Sequence, residues 1–261
     1  MSAHTFDRYL ARASAIHRLD PRVKVAATPA FILSVALLPD GAWGLYAAAL
    51  AALLAVAVAA HLSPWLVVRR SLIGLPFLLA AVTVLFVAPG RAVWAGPFGL
   101  EITDGGLIRF GSIVARSLIS IAAAVLLTAT TRFPDILHAL RHLRVPAVLV
   151  AIIAFMYRYL FVLVEEVERL MRARAARSAR LPGVPGGRSL RRRAAVTGHM
   201  AGQLLVRSLD RSDRVYHAML ARGYRGELLT LAPHAMHPRD WAALAVALAA
   251  AVGLQLAARL I

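Results

Sequence analysis

The sequence contains no cysteine, which excludes disulfides, thiolate chemistry and Cys-based metal sites. It has a single lysine, Lys24, among 30 basic residues. The phosphate loop Gly-x4-Gly-Lys-Ser/Thr is therefore absent, and the chain does not hydrolyse ATP by that route. Acidic residues are scarce, 13 in all, and none falls in the clearly apolar segments. An intramembrane enzyme would need a buried acid, base or metal pair there, so that class finds no support. Neither a Ser/His/Asp constellation nor His-Glu-x-x-His is visible. No cleavable signal peptide is expected, because residues 1–20 are charged and have no apolar core.

What the sequence does have is apolar length. Hydrophobic residues make up 60% of 261 positions, with a mean hydropathy of +0.68; a soluble domain holds about 45–50%. The excess falls in nearly uncharged blocks of roughly 17–20 residues, long enough to cross a ~30 Å hydrocarbon core. The expected fold is all-α: a polytopic membrane bundle of about five spans, with long helices outside it. The net charge of +17 follows from Arg in cytoplasmic loops, so no nucleic-acid partner is invoked.

Residues 1–24 form a cytoplasmic, amphipathic start. Phe6, Tyr9, Leu10 and Ala13 would share one face of an interfacial helix. Asp20-Pro21 should start the next helix, with Asp as N-cap and Pro in the first turn. Spans one to four are expected at 25–38, 42–60, 72–88 and 108–130, and the last at 241–260. The domain reading is thus 1–24, spans at 25–130, a cytoplasmic or interfacial region at 131–238, and a final span at 239–261. Pro39-Asp-Gly41 reads as a tight turn, and Pro89–Gly106 as an outer connection with a small hairpin. The stretch from Pro134 to Leu143 reads as a short amphipathic helix with Ile136, Leu137, Leu140 and Leu143 facing one way.

Residues 147–164 are apolar enough to cross, but parity opposes it. A fifth crossing would put 164–238 outside, and there Arg outnumbers Asp and Glu more than two to one. Tyr157-Arg158-Tyr159 would also place an Arg in lipid. The expectation is a helix in or near the cytoplasmic interface, continuing to about residue 180. Pro182, Gly183, Pro185 and Gly186 end it. A second long helix spans about 188–222, with Gly223 as its left-handed terminator.

This region holds one heptapeptide twice. Met171-Arg-Ala-Arg-Ala-Ala-Arg177 and Met219-Leu-Ala-Arg-Gly-Tyr-Arg225 both read Met-x-Ala-Arg-small-x-Arg. Small neighbours (Ala173 and Ala175 beside Arg174, Ala221 and Gly223 beside Arg222) leave each guanidinium uncovered. The planar fork of Arg suits bidentate bonds to carboxylates. Each helix end is read as a docking tip for a groove with acidic groups and apolar pockets for Met171, Met219 and Tyr224. Complementing helix dipoles and anionic lipid is the competing explanation.

Ile16-His-Arg-Leu-Asp-Pro-Arg-Val-Lys24, the Pro134–Leu143 segment followed by Val145-Pro146, Tyr157-Arg158-Tyr159 and the two Ala-Arg-small motifs carry a resemblance. Together they resemble the transmembrane T component of energy-coupling-factor (ECF) transporters, the EcfT/CbiQ family. Within it they are most similar to the CbiQ type of cobalt importers. Arg214-Val-Tyr-His-Ala-Met-Leu-Ala-Arg-Gly-Tyr224 matches that type well. The first motif departs: Ala175 stands where Gly223 does, and Ala176-Arg177-Ser178 is an alternative centre.

The resemblance implies a non-catalytic coupling subunit in the inner membrane, with a cytoplasmic N-terminus. Its partners would be two CbiO-like ABC ATPase subunits carrying ATP and Mg, and a CbiM-like capture subunit with or without a small CbiN-like subunit. The docking residues it implies are Ala173, Arg174, Ala175, Arg177, Met219, Ala221, Arg222, Gly223 and Tyr224. This chain would contact membrane lipid and bind no cofactor itself. Nickel or a vitamin such as biotin is the alternative cargo, and a passive lipid anchor the alternative of another class.

Arg116, roughly two turns into span four, and Arg158 are read as structural charges needing partners, with Glu165 or Glu166 as candidates for Arg158. Glu166 and Glu168 have Arg169 and Arg172 at helical spacing. His138 and His142 lie four apart and His234 and His237 flank a turn, but no carboxylate cluster joins them, so no metal site is assigned.

Overall fold

The computed structural model describes residues 9–74, 76, 79, 81–87, 89–95, 101–177, 190–226 and 236–260. The chain divides into two compact units. One comprises Asp7–Leu143 and Pro233–Ile261; among the described residues, the other is Arg144–Ala232. The first holds α1 (Ala15–Arg18), α2 (Pro21–Ala36), α3 (Trp43–Ala59), α4 (Pro64–Ser71), α5 (Val84–Val87), β1 (Ala92–Ala95), β2 (Glu101–Thr103), α6 (Asp104–Thr130) and α7 (Phe133–His142). The second holds α8 (Ala147–Arg177) and α9 (Leu190–Ala221), and α10 (Pro238–Leu260) belongs to the first. The fold is an all-α membrane helix bundle with one small hairpin.

Local rules set most of the boundaries. The Asp20 carboxylate accepts the Arg22 N–H at 2.8 Å, and Pro21 opens α2. Gly41 turns the chain at φ +82°, and its N–H donates to Ser112 Oγ on α6. The Thr103 hydroxyl caps α6 by accepting the Gly106 N–H at 3.0 Å. The hairpin pairs β1 and β2 antiparallel; its tip, including Gly99, lies outside the described residues.

The core of this unit joins α2, α3, α4 and α6. Tyr46, Ala49, Leu53 and Ala57 recur every three or four residues on one face of α3, and Ile119, Ala122, Ala123 and Leu126 line α6. Small side chains at such contacts let membrane helices approach closely. A buried polar link joins α2 to α10: Ser34 Oγ donates to the Ala251 carbonyl, and Gln255 Nε2 to the Ser34 carbonyl.

Three expectations need correction. Residues 9–14 are not helical, and only α1 forms before Asp20. The Leu10 N–H instead donates to the Ala129 carbonyl at the end of α6, where a helix leaves its last carbonyls unsatisfied. Phe6 lies outside the described residues. Span three is not one continuous helix. A 3₁₀ turn covers Leu72–Gly74, and i to i+3 hydrogen bonds recur from Leu79 to Phe86. Pro76 supplies no N–H to a helical ladder there; residues 75, 77, 78, 80 and 88 lie outside the described residues. Third, Leu143 is exposed, because α7 buries Leu137 and Ala139. The two compact units divide at 143/144, with α7 packed on α2.

Among the described residues, α6, α8 and α10 are long and apolar enough to cross a membrane. The shorter α2 and α3 have 16 and 17 residues, roughly 24–26 Å at ~1.5 Å each. Length and composition alone would let the first part of α8 cross, so the interfacial expectation for 147–164 continues to rest on charge.

Candidate coupling surface

The second unit is an antiparallel helix pair. α8 begins with the apolar run at 147–164 and turns charged at Glu165. Two polar contacts fix the register. Arg207 donates to Glu166 Oε1 at 2.7 Å, and Arg174 to Thr197 Oγ1 at 2.9 Å. Residue numbers rise along one helix as they fall along the other. Glu166 also accepts from Arg169 one turn on, at 2.5 Å, and the Arg207 hydrogen bond above all holds its carboxyl below the usual carboxylate range. Glu168 and Arg172 pair at 3.8 Å. A cleft of about 220 Å³ beside Glu166 is lined by Leu163, Leu204 and Arg211 among others.

The two heptapeptides sit at opposite ends of this pair. Arg174 lies opposite Thr197, whereas Arg222 lies about 25 residues further along, on the order of 37 Å at ~1.5 Å per residue. The second tip is sharply formed. Gly223 adopts φ +82° and donates its N–H to the Leu220 carbonyl; the Tyr224 N–H donates to the Met219 carbonyl at 3.0 Å. This is a Schellman ending. Met219 and Tyr224 are half-buried, while Ala221 and Arg222 are exposed. The first tip is different. Met171, Ala173 and Ala175 are exposed, but Arg174 is half-buried against Thr197, and helix continues to Arg177. The expectation of an uncovered guanidinium at Arg174 is thus corrected. Arg177, in the last turn of this helix, is exposed; Ser178 lies outside the described residues.

The structural charges also resolve unequally. Arg116 points to the α2–α3 turn, where its guanidinium meets Asp40 and its Nε donates to Tyr46 Oη at 2.9 Å. Tyr46 in turn donates to the Pro39 carbonyl, and Arg109 lies 3.6 Å from the same Asp40. Arg158 and Glu165 are exposed, and the expected pairing of Arg158 with Glu165 or Glu166 does not form. Seven or eight helical residues separate such groups by roughly 10–12 Å of rise, and Glu166 has nearer cations in Arg169 and Arg207. His138 and His142 stand ring to ring at 4.8 Å, with His142 Nδ1 3.3 Å from the His138 carbonyl. His234 lies outside the described residues.

The family model described as cobalt transport protein, CbiQ, matches residues 12–231. The chain belongs to the CbiQ family. The cobalt transport protein CbiQ of Rhodobacter capsulatus is 32% identical over 58% of this chain and 62% of its own length, under two thirds of that relative. Longer matches come from energy-coupling factor transporter transmembrane proteins, EcfT. That of Thermosediminibacter oceani is 31% identical over 85% of this chain and 84% of its own length. That of Lacticaseibacillus paracasei is 29% identical over 90% and 91%. The chain thus belongs to a family of transporter membrane components, and these longer matches cover 85% and 90% of it.

Sequence reasoning missed several residues of this CbiQ-family chain. Thr197 and Arg207 carry no local signal, because their partners lie 23 and 41 positions away. The Asp40 carboxylate was visible as a turn residue but not as the counter-ion of Arg116. The role of Lys24, whose ammonium donates to the Thr130 carbonyl at 3.1 Å, was also invisible.

Proposed function

We propose that this chain is the T component of an energy-coupling-factor importer. It couples two ABC ATPase subunits, which carry the ATP and Mg, to a membrane subunit that captures the cargo. The observation that carries this reading is the placement of two Arg-bearing tips at opposite ends of one antiparallel pair, on the order of 37 Å apart by helical rise. One helix pair with two separated cationic tips suits two copies of one partner. When ATP draws those copies together, both ends of the pair are displaced at once.

Arg222 and Arg177 are exposed cations at the two tips, each beside small residues. They suit acidic grooves that accept a planar fork. Arg174, engaged by Thr197, shapes the first tip from within. Cobalt ion is the proposed cargo, held by the capture subunit, and this chain binds neither the ion nor nucleotide. The Arg content of the second unit supports a cytoplasmic location for it and for the N-terminus, at the plasma membrane.

The test is co-purification of the ATPase with the chain, together with cobalt uptake in cells. Arg222→Glu is expected to weaken retention of the ATPase and abolish uptake while membrane insertion stays intact, with a lesser effect from Arg174→Glu. Normal retention in both variants would overturn the docking assignment. Protease accessibility of residues 190–226 from the outside would overturn the topology.

A further inference from the structure

The first unit contains a polar cavity of about 320 Å³ that the tips do not explain. It is lined by His17, Asp20, Lys24, Asp135 and Asp240, among others. Lys24 is the chain's only lysine, in a sequence that uses Arg at every other basic position. Its place is also unlike theirs. Its ammonium is half-buried and reaches the Thr130 carbonyl at the end of α6, with Asp135 and Asp20 as the acidic groups acting on it. Arginine's larger planar fork does not reproduce a compact ammonium on one buried carbonyl.

The acidic groups tie in the surrounding elements. Asp240 Oδ1 accepts the Asp20 N–H at 3.1 Å, and its Oδ2 accepts the His237 N–H at 2.9 Å. Asp20 caps α2. Asp135 lies in the first turn of α7. The chain leaves this unit for the helix pair just after α7, at 143/144, and returns just before α10, at 232/233. The elements at both departures therefore line the same cavity.

We propose that Lys24, with Asp20, Asp135 and Asp240, forms an anchorage that fixes both roots of the coupling unit to the first membrane helix, so that movement of α8 and α9 is passed to the bundle instead of being lost at the connections. This rests on the T-component reading above. Lys24 is then a positioning residue, and its loss uncouples transport from ATP hydrolysis without detaching the ATPase.

The experiment reconstitutes the complete complex in liposomes. It measures ATPase retention, ATP hydrolysis and cobalt ion taken up per ATP hydrolysed. Lys24→Arg and Lys24→Gln are expected to retain the ATPase within about twofold and to lose about tenfold in uptake per ATP. The exposed control Arg12→Lys should leave that ratio unchanged. Asp135→Asn removes charge without removing a main-chain bond and should lower the ratio in the same direction; it decides the matter if the Lys24 variants fail to fold. Wild-type ratios in Asp135→Asn and in every Lys24 variant that folds overturn the anchorage alone. A wild-type chain that retains no ATPase overturns the T-component reading and the anchorage with it.

Discussion

The two heptapeptides share five of seven positions in kind, yet they build different ends. The second stops its helix at Gly223, whose left-handed backbone closes a Schellman ending and leaves Arg222 exposed. The first has Ala175 at the matching place, and a Cβ disfavours that conformation by about 1–2 kcal/mol. Helix therefore continues through Arg177, and Arg174 becomes an inward-leaning residue held by Thr197. One glycine decides whether the central Arg is a tip or part of a helix face. Matching sequence thus gives matching chemistry but not matching presentation.

The largest expected effect separates the two ends directly. Arg222→Glu reverses an exposed charge at the formed tip, and retention of the ATPase should fall by about thirtyfold or more, the scale of an interface hot spot. Arg177→Glu should follow it in size, and Arg174→Glu should fall short of both. Affinities measured with purified ATPase give the ranking. If Arg174→Glu equals Arg222→Glu while Arg177→Glu is neutral, the asymmetry described above is not the one the partner reads.

Next in size is the backbone itself. Gly223→Ala should cost about 1 kcal/mol at the end of α9, since alanine there must hold a positive φ. Amide exchange at residues 219–224 should speed up by roughly fivefold. Ala175→Gly should weaken the interior of α8 by about the same amount without producing a second Schellman ending. The comparison breaks if Gly223→Ala leaves exchange at that end unchanged.

The asymmetry shows what the sequence could and could not reveal. Features set within a few residues were legible: Asp20-Pro21 as a helix start, Gly41 as a turn, Gly223 as a stop and the hairpin before α6. So were the all-α bundle and the two long helices, because apolar length and helix breakers are local. Features completed from a distance were not. Residues 9–14 have an amphipathic pattern, but the Leu10 N–H goes to the end of α6. Arg116 called for a partner that only the fold could identify as Asp40. Arg174 looked uncovered because its neighbours are small, and Thr197 is invisible from there.

A smaller effect concerns what holds the two ends in one body. Glu166 is, beside Thr197, an acceptor joining α8 to α9, through Arg207, with Arg169 next to it. Its carboxyl is held below its ordinary value of 4.5 by the Arg207 hydrogen bond first and the neighbouring guanidinium charges after it. A carboxylate with a lowered folded pKa stabilises fully above its unfolded value, and that contribution is lost as pH falls through the folded one. Exchange protection along α8 and α9 should therefore hold above pH 4.5 and decline below it, and Glu166→Gln should flatten the decline. An unchanged acid profile in Glu166→Gln would mean that the Glu166–Arg207 contact does not set it.

The smallest change tests the inward lean of Arg174 itself. Thr197→Val removes the hydroxyl that accepts from Arg174 and keeps the side chain's shape. The bond is exposed, so its loss should cost no more than about 0.5–1 kcal/mol. If that bond accounts for the weaker role of Arg174, releasing it should make Arg174→Glu more damaging in the Thr197→Val background than in the wild type. The double-mutant cycle on ATPase affinity reads that coupling without requiring the two ends to be equal at the start. Strict additivity would place the cause in the continuous helix at Ala175 instead, leaving Gly223 as the residue that makes the two tips different.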